Sequence, residues 1–186
     1  MADDRFEPLT ATFDGLVLRP FVAADAPLVA EGCNDPQTQR WVPLPYPYTM
    51  DHAIDWTTVA SHALREDGDG LHQGLFTVDG QFIGAMSLVR TNWRYLSTEI
   101  GYWATPAARG HGHITTATIF LSRWALDNGM GRVELCAEPE NTASRRVAEK
   151  AGFTFEGVKR SAGVNADRRV DLCLYSLIRS DLDQSE

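Results

Sequence analysis

Two histidines alternate with two glycines in the stretch Arg109-Gly110-His111-Gly112-His113, directly before a segment with helical periodicity. This pattern allows two kinds of chemistry: imidazole ligands for a metal ion, or a glycine loop whose backbone binds phosphate. Glycines before a helix N-terminus leave room for an anion, which the unpaired amides and the helix dipole favour. Arg109 adds a positive charge that can contact the same anion. The stretch is therefore predicted to form a pyrophosphate-binding loop.

Other interpretations of the glycine loop fit the sequence less well. A zinc site needs three or four ligands at known spacings, whereas His52, His62 and His72 fall in predicted elements other than this loop. A P-loop would end in Gly-Lys-Ser/Thr, which does not occur here, and a dinucleotide fingerprint would have a third glycine where Thr115 stands. A turn that merely changes the chain direction stays open as an alternative at this point.

The elements around the loop predict an α+β fold. Strand patterns lie at 12–20, 71–78, 82–90, 98–104, 133–137, 153–158 and 169–179, and helical patterns at 25–32, 51–65, 110–128 and 141–150. Asp79-Gly80 predicts a hairpin between two of the strands, and the proline-rich stretch 41–49 is predicted to be irregular. The resulting order favours a mixed, mostly antiparallel sheet flanked by helices over a doubly wound parallel one.

Composition narrows the classes of function. The chain has 186 residues, of which 44% are hydrophobic and 23% charged, which predicts a single globular domain over 1–186. A net charge of −8 without a Lys/Arg run argues against nucleic acid or a membrane surface as partner, and suits a cationic amine. The sequence shows no apolar leader and no membrane-spanning stretch, which predicts a cytoplasmic protein. Its three cysteines have no CxxC spacing and are expected to be reduced thiols.

Two longer motifs give the sequence a specific resemblance to a known family. The first, EIGYWATPAARGHG, runs from Glu99 to Gly112, and the second, ENTASRRVAEKAGF, runs from Glu140 to Phe153. Together they resemble the GNAT N-acetyltransferase superfamily, and within it the RimJ/RimL-type branch of ribosomal-protein-alanine acetyltransferases. The resemblance is strong over about residues 98–158 and weaker toward both ends. It implies the GNAT fold and acetyl-CoA as acetyl donor, with no metal.

The resemblance assigns the pyrophosphate of acetyl-CoA to the glycine loop. The amides of Arg109 to Ile114 would contact the phosphates, and the Thr115 hydroxyl would add a further bond. Arg109 and Gly112 fit the family pattern [Q/R]-x-x-G-x-[G/A], whereas Ile114 stands where a small residue is usual.

The resemblance also implies that the pantetheine arm pairs with the strand at 102–104 in the manner of an added strand. A backbone N–H near Tyr102 or Trp103 would stabilise the developing oxyanion, and Asn141 would touch the pantetheine. The complete set of predicted cofactor-binding residues is Tyr102, Trp103, Ala104, Arg109, Gly110, His111, Gly112, His113, Ile114, Thr115, Asn141 and Ser144.

Amine acetylation requires a neutral amine and a proton for the leaving thiolate. Glu99 is the predicted base, because the branch has a glutamate there; a role limited to orienting the amine stays open, and Glu138 and Glu140 are weaker alternatives. Ser144 is the predicted acid, because the branch has a serine there, whereas many other members carry a tyrosine at the position of Ala148. A serine that only binds CoA is the alternative.

The acceptor is the least defined part of the prediction. Trp41, Tyr46 and Tyr48 are predicted to form a wall of its pocket, where their rings could hold a cation; packing of the proline-rich loop is the alternative. A protein N-terminal α-amine and a small amine both fit, as does a donor other than acetyl-CoA, such as succinyl-CoA. The resemblance implies a homodimer. A non-catalytic acyl-CoA-binding sensor or interaction module is the competing function.

Overall fold

The computed structural model describes residues 4–165 and 168–182. Its strands are β1 (Ala11–Phe13), β2 (Leu16–Arg19), β3 (Leu71–Thr77), β4 (Phe82–Asn92), β5 (Ser97–Ala104), β6 (Arg132–Ala137), β7 (Thr154–Asn165) and β8 (Arg168–Ile178). Its helices are α1 (Ala26–Cys33), α2 (Pro36–Trp41), α3 (Met50–Asp55), α4 (Ser61–Glu66), α5 (His113–Asp127), α6 (Thr142–Lys150) and α7 (Arg179–Leu182). The strands form one sheet in the order β1-β2-β3-β4-β5-β6-β8-β7.

Helices cover both faces of this sheet. Helices α5 and α6 pack on one face over a core that includes Leu88, Ile100, Leu121, Val133, Ala148 and Tyr175. Helices α1 and α3 pack on the other face over a core that includes Phe21, Val29, Ala53, Phe76 and Phe82. The predicted α+β class, with a mostly antiparallel sheet flanked by helices, is confirmed. In the described part of the chain, no helix has the length and apolarity needed to cross a membrane.

Two predicted elements differ from the structure for local reasons. The strand predicted at 12–20 is a hairpin, because Asp14 and Gly15 adopt φ values of 44° and 76° and turn the chain between β1 and β2. The predicted break at Asn34 to Pro36 is the start of α2. The Asp35 side chain caps that helix by accepting from the amides of residues 37 and 38, and proline is tolerated in the first turn.

The pairing of β5 with β6 creates the gap that defines the site. Among the described strands these two are the parallel neighbours, and the residues that pair are Ser97–Glu99 opposite Arg132–Glu134. Both strands continue past this point without pairing to each other, β5 as far as Ala104 and β6 as far as Ala137. The unpaired edges form a gap at their C-terminal ends, and α5 begins nine residues after β5 ends.

Half-buried His72 makes stability depend on pH. Burial lowers its pKa from 6.5 to about 4, and its Nδ1 lies 2.9 Å from the Ser87 hydroxyl. The unfolded chain therefore binds a proton between about pH 6.5 and 4 that the folded chain does not, so stability is lost as pH falls through that window. Between pH 7 and 5, the unfolding free energy of the wild type should fall by about 2 kcal/mol more than that of His72→Phe, which lacks the imidazole. Urea unfolding at both pH values measures this; equal declines in the two proteins would contradict it.

Candidate active site

The glycine loop has the geometry of an anion-binding helix N-terminus. Gly110 and Gly112 adopt φ values of 82° and 84°, and a Cβ built on either would meet nothing within 4 Å. Gly112 is the N-cap of α5, and no side chain caps the first amides of that helix. These N–H groups thus have no side-chain cap, and the space beside the two glycines is open, which suits a phosphate.

The side chains of the loop are placed around this opening. The rings of His111 and His113 lie 5.8 Å apart, and among residues 4–165 and 168–182 no third potential ligand completes a metal cluster with them. Nδ1 of His113 is buried without a hydrogen-bond partner. Ile114 packs against the core, so its bulk is directed into the protein interior, and Thr115 is half-buried in the first turn of α5.

Arg109 makes its contacts with α2. Its guanidinium donates to the Asp35 carboxylate, to Gln37 Oε1 at 3.0 Å and to Thr38 Oγ1 at 3.2 Å. Its backbone amide donates to Pro106 O at 3.4 Å, within a short 3₁₀ turn before the loop. In the structure the positive charge next to the glycines is therefore paired with a carboxylate from another part of the chain.

Glu99 lies in a polar cluster where the gap begins. Side-chain ligand atoms of Glu99, Glu134 and Cys136 lie within 4.8 Å of one another. Cations lie against both carboxylates, with Arg90 Nη1 2.6 Å from Glu99 and Lys159 Nζ 3.2 Å from Glu134. Burial, with a further contribution from the Glu99 charge, raises the pKa of the Cys136 thiol to about 12. The cluster thus holds a protonated thiol and charge-balanced carboxylates.

A β-bulge directs Arg90 toward this cluster. The register of β4 against β5 shifts between Val89 and Asn92, and Arg90 adopts a φ of 52° within the shift. Bulges commonly re-aim a side chain beside a functional site. Arg90, Glu134, Cys136 and Lys159 were missed by the sequence reasoning. Alternation along β6 could have placed 134 and 136 on one face, but not beside Glu99.

The surface of β5 beside Glu99, on the same face of the strand, is open at Gly101. Glu99, Gly101 and Trp103 share this face because successive side chains alternate. A Cβ at Gly101 would meet only Val89 Cγ2, at 4.0 Å, whereas a Cβ at Gly32 would lie 2.3 Å from the Trp103 ring. The indole is therefore packed closely against α1, while the space over Gly101 can admit a substrate group.

The opposite face of β5 brings Tyr102 to α6. Its hydroxyl lies 2.9 Å from Ser144 Oγ, and burial raises the pKa of the phenol. Asn141 caps α6 by accepting from the Ser144 amide at 3.1 Å, and Ala148 is fully buried behind them. Two adjacent protonated hydroxyls, from Tyr102 and Ser144, therefore stand on the α6 side of the gap; the sequence reasoning named both residues but not their contact.

A cavity of about 420 Å³ lies between α2, the end of β6 and the β7–β8 hairpin, and it is lined by Gln39, Arg40, Trp41, Glu138, Glu140, Asn165 and Arg168. Of the three aromatic residues predicted for the acceptor wall, the structure brings Trp41 to this cavity. Tyr46 is 84% exposed and does not line it. Tyr48 is 7% exposed and belongs to the core beneath α1 and α3, where its ring packs against apolar side chains and is removed from water.

Comparisons with known proteins agree with this geometry. The family model described as Acetyltransferase (GNAT) domain matches residues 15–154. A putative ribosomal N-acetyltransferase, YdaF of Bacillus subtilis, is 34% identical over 116 residues, which cover 62% of this chain and 63% of that protein. The ribosomal-protein-serine acetyltransferase of Escherichia coli is 29% identical over 101 residues, which cover 54% of this chain and 56% of that protein.

The similarity to a solved structure extends over nearly the whole chain. The crystal structure of a probable acetyltransferase superposes with a TM-score of 0.82 at 28% identity, and the alignment covers 93% of this chain and 98% of that one. The matching region contains the β5–β6 gap and the glycine loop at the start of α5. The expected resemblance to ribosomal-protein acetyltransferases is confirmed, and the chain belongs to the acetyltransferase (GNAT) family.

Proposed function

We propose that the protein is a single-domain, acetyl-CoA-dependent N-acetyltransferase acting on a primary amine. The observation that carries the proposal is the gap between β5 and β6, which opens at the end where α5 presents uncapped amides behind two left-handed glycines. A strand edge, a phosphate site and a carboxylate are thereby arranged around one opening. The family membership supports the same activity.

The residues around the gap fit acetyl-CoA. The amides of His113, Ile114 and Thr115 are the first of α5 and would hold the pyrophosphate, with Gly110 and Gly112 leaving the space open. The unpaired edge of β5 would pair with the amide groups of the pantetheine arm in the manner of strand addition. Bound in this way, the donor supplies an acyl group already activated as a thioester.

Glu99 and Ser144 are the proposed proton-transfer groups, on opposite faces of β5. The amine attacks the thioester carbonyl, a C–N bond forms and the C–S bond breaks. The amine proton passes to the Glu99 carboxylate, which lies next to the open space over Gly101. Ser144, hydrogen-bonded to Tyr102, donates the proton that the leaving thiolate takes up. A backbone N–H at Tyr102 or Trp103 stabilises the carbonyl oxygen during the attack.

Ser144→Ala is expected to lower kcat by about 100-fold if this serine is the acid, since general acid catalysis contributes about 10²- to 10⁴-fold. Tyr102→Phe keeps the ring and the Ser144 hydroxyl while removing their hydrogen bond, so its effect on kcat should be smaller. Steady-state assays at saturating acetyl-CoA measure both variants. An unchanged kcat in Ser144→Ala would show that the thiolate needs no donor at this position.

The proposed acceptor is a protein N-terminal α-amine. Relatives named as ribosomal-protein acetyltransferases support this class. The cavity beside α2 combines the carboxylates of Glu138 and Glu140, the guanidinium groups of Arg40 and Arg168, and the Trp41 ring. Such a mixed lining suits the charged and polar groups of a peptide, and the net charge of −8 disfavours RNA as the recognised surface. A homodimer, which the family resemblance favours, would be detected by sedimentation.

An amine panel tests the activity directly. The protein is incubated with acetyl-CoA and a serine-initiated peptide, an alanine-initiated peptide, spermidine or an amino sugar, and free thiol is followed. We expect thiol release with at least one peptide. Binding of CoA without thiol release on any amine would favour the sensor instead, and a parallel series with succinyl-CoA identifies a different donor.

A further inference from the structure

Arg109 joins two parts of the chain that are more than 70 residues apart. It directly precedes Gly110, and its guanidinium donates to three acceptors in the N-terminal turn of α2: Asp35, Gln37 and Thr38. Asp35 is the N-cap of α2 and accepts from the amides of Gln37 at 3.1 Å and Thr38 at 2.9 Å. One guanidinium therefore fixes both the cap and the first turn of this helix.

These contacts are partly shielded from water. The Asp35 side chain is 13% exposed, that of Arg109 is 28% exposed, and Thr38 is buried. The Arg109 guanidinium is the main reason that the pKa of Asp35 lies below its usual value. Charge-assisted hydrogen bonds in such surroundings are stronger than neutral ones, and removing one partner leaves the other poorly solvated.

The position of α2 depends on such anchors because the helix has six residues, fewer than an isolated helix needs to be stable. At its other end, Asn165 Nδ2 donates to Arg40 O at 2.9 Å. Arg40 and Trp41 in that last turn line the 420 Å³ cavity. The chain of contacts thus runs from the glycine loop through Arg109 and α2 to the wall of the cavity.

We propose that Arg109 is a positioning residue that ties α2, and with it the wall of the acceptor cavity, to the CoA-binding loop. The assignment of cavity and loop rests on the proposed function. In this role the side chain acts on the acceptor site, and the backbone of the loop binds the donor. Ordering of the loop by CoA would then also stabilise the wall against which the acceptor binds.

Arg109→Gln and Asp35→Asn test the tie, since asparagine keeps the N-cap of α2 while the charge is removed. We expect faster hydrogen exchange at the amides of 37–41 in both variants. We also expect a KM for a serine-initiated peptide raised about tenfold and a CoA affinity, measured by calorimetry, within about twofold of wild type. The double variant should be no worse than the poorer single variant, because both act through one contact.

Arg19→Gln is the matched control, since Arg19 makes a comparable pair with Asp25 at 2.8 Å outside the cavity lining. It should leave hydrogen exchange at 37–41 and the peptide KM unchanged.

Unaltered exchange in both test variants would show that Arg109 does not hold α2 in place. Faster exchange with an unchanged KM would show that the position of α2 does not affect binding of the acceptor. A tenfold loss of CoA affinity in Arg109→Gln alone would make Arg109 a phosphate ligand instead. If the wild type binds CoA but acetylates nothing, the proposed function fails while the exchange experiment still decides the tie.

Discussion

Gly112→Val is expected to weaken CoA binding by at least about 100-fold. Gly112 adopts a φ of 84°, where a β-branched residue costs about 1–3 kcal/mol, so the variant turns the loop and displaces the first amides of α5. Hydrogen bonds to a charged group contribute about 1.5–3 kcal/mol each. Because about 1.4 kcal/mol corresponds to tenfold, loss of two such bonds exceeds 100-fold. Titration calorimetry with CoA measures the affinity.

Two controls isolate the backbone of the loop as the cause. Gly129 lies just past the other end of α5 with a φ of 98° and open space around a Cβ, so Gly129→Val imposes a similar strain away from the gap. It should lower stability and leave the affinity for CoA unchanged. His111→Ala removes an exposed imidazole and keeps its amide, so it should also bind CoA like wild type. A strong loss in His111→Ala would assign the binding to side chains instead.

Glu99→Gln is expected to lower kcat/KM by about 100- to 1,000-fold while CoA affinity stays unchanged. Glutamine keeps the size of the side chain and its place beside the Arg90 guanidinium, but it cannot accept the amine proton. Loss of a base lowers kcat, whereas loss of an orienting contact would chiefly raise the acceptor KM. Steady-state rates with a serine-initiated peptide at saturating acetyl-CoA distinguish the two roles.

Glu138→Gln and Glu140→Gln are the matched comparisons, because both carboxylates line the cavity beyond the end of β6. Each should change the acceptor KM and leave kcat near the wild-type value. If one of these variants lowers kcat while Glu99→Gln does not, the base is that glutamate. An unchanged kcat in all three would leave deprotonation of the amine to solvent.

The conformation of the glycine loop could be predicted from the residues next to it in the sequence. A strand, two glycines at alternate positions and a helical periodicity predicted the anion site, and the structure has Gly110 and Gly112 in the conformation that glycine favours. Asn141 begins the helical pattern predicted at 141–150, and in the structure it caps that helix by accepting from the Ser144 amide. Such features depend on residues within one or two turns, so the local sequence contains the information.

Local rules do not specify an environment that neighbouring elements decide. The three aromatic residues predicted as one wall of the acceptor pocket lie in different environments: Trp41 lines the cavity, Tyr46 is exposed and Tyr48 is buried. A proline-rich segment has no fixed periodicity, so its pattern does not tell which ring meets the core. Of these rings, that of Tyr48 packs in the core beneath α1 and α3.

The order of periodic segments in the sequence predicts the fold class, which the structure confirms. The phosphate loop is predicted from a motif within one segment, and Glu99 as base from the resemblance to the RimJ/RimL-type branch; both stay predictions. The tertiary structure alone decided which residues surround Glu99 and Ser144, because pairing of β5 with β6 brings Cys136 to the first and the direction of β5 brings Tyr102 to the second. It also turned the Arg109 guanidinium toward Asp35. Contacts across such sequence separations depend on strand order and register, which no local pattern specifies.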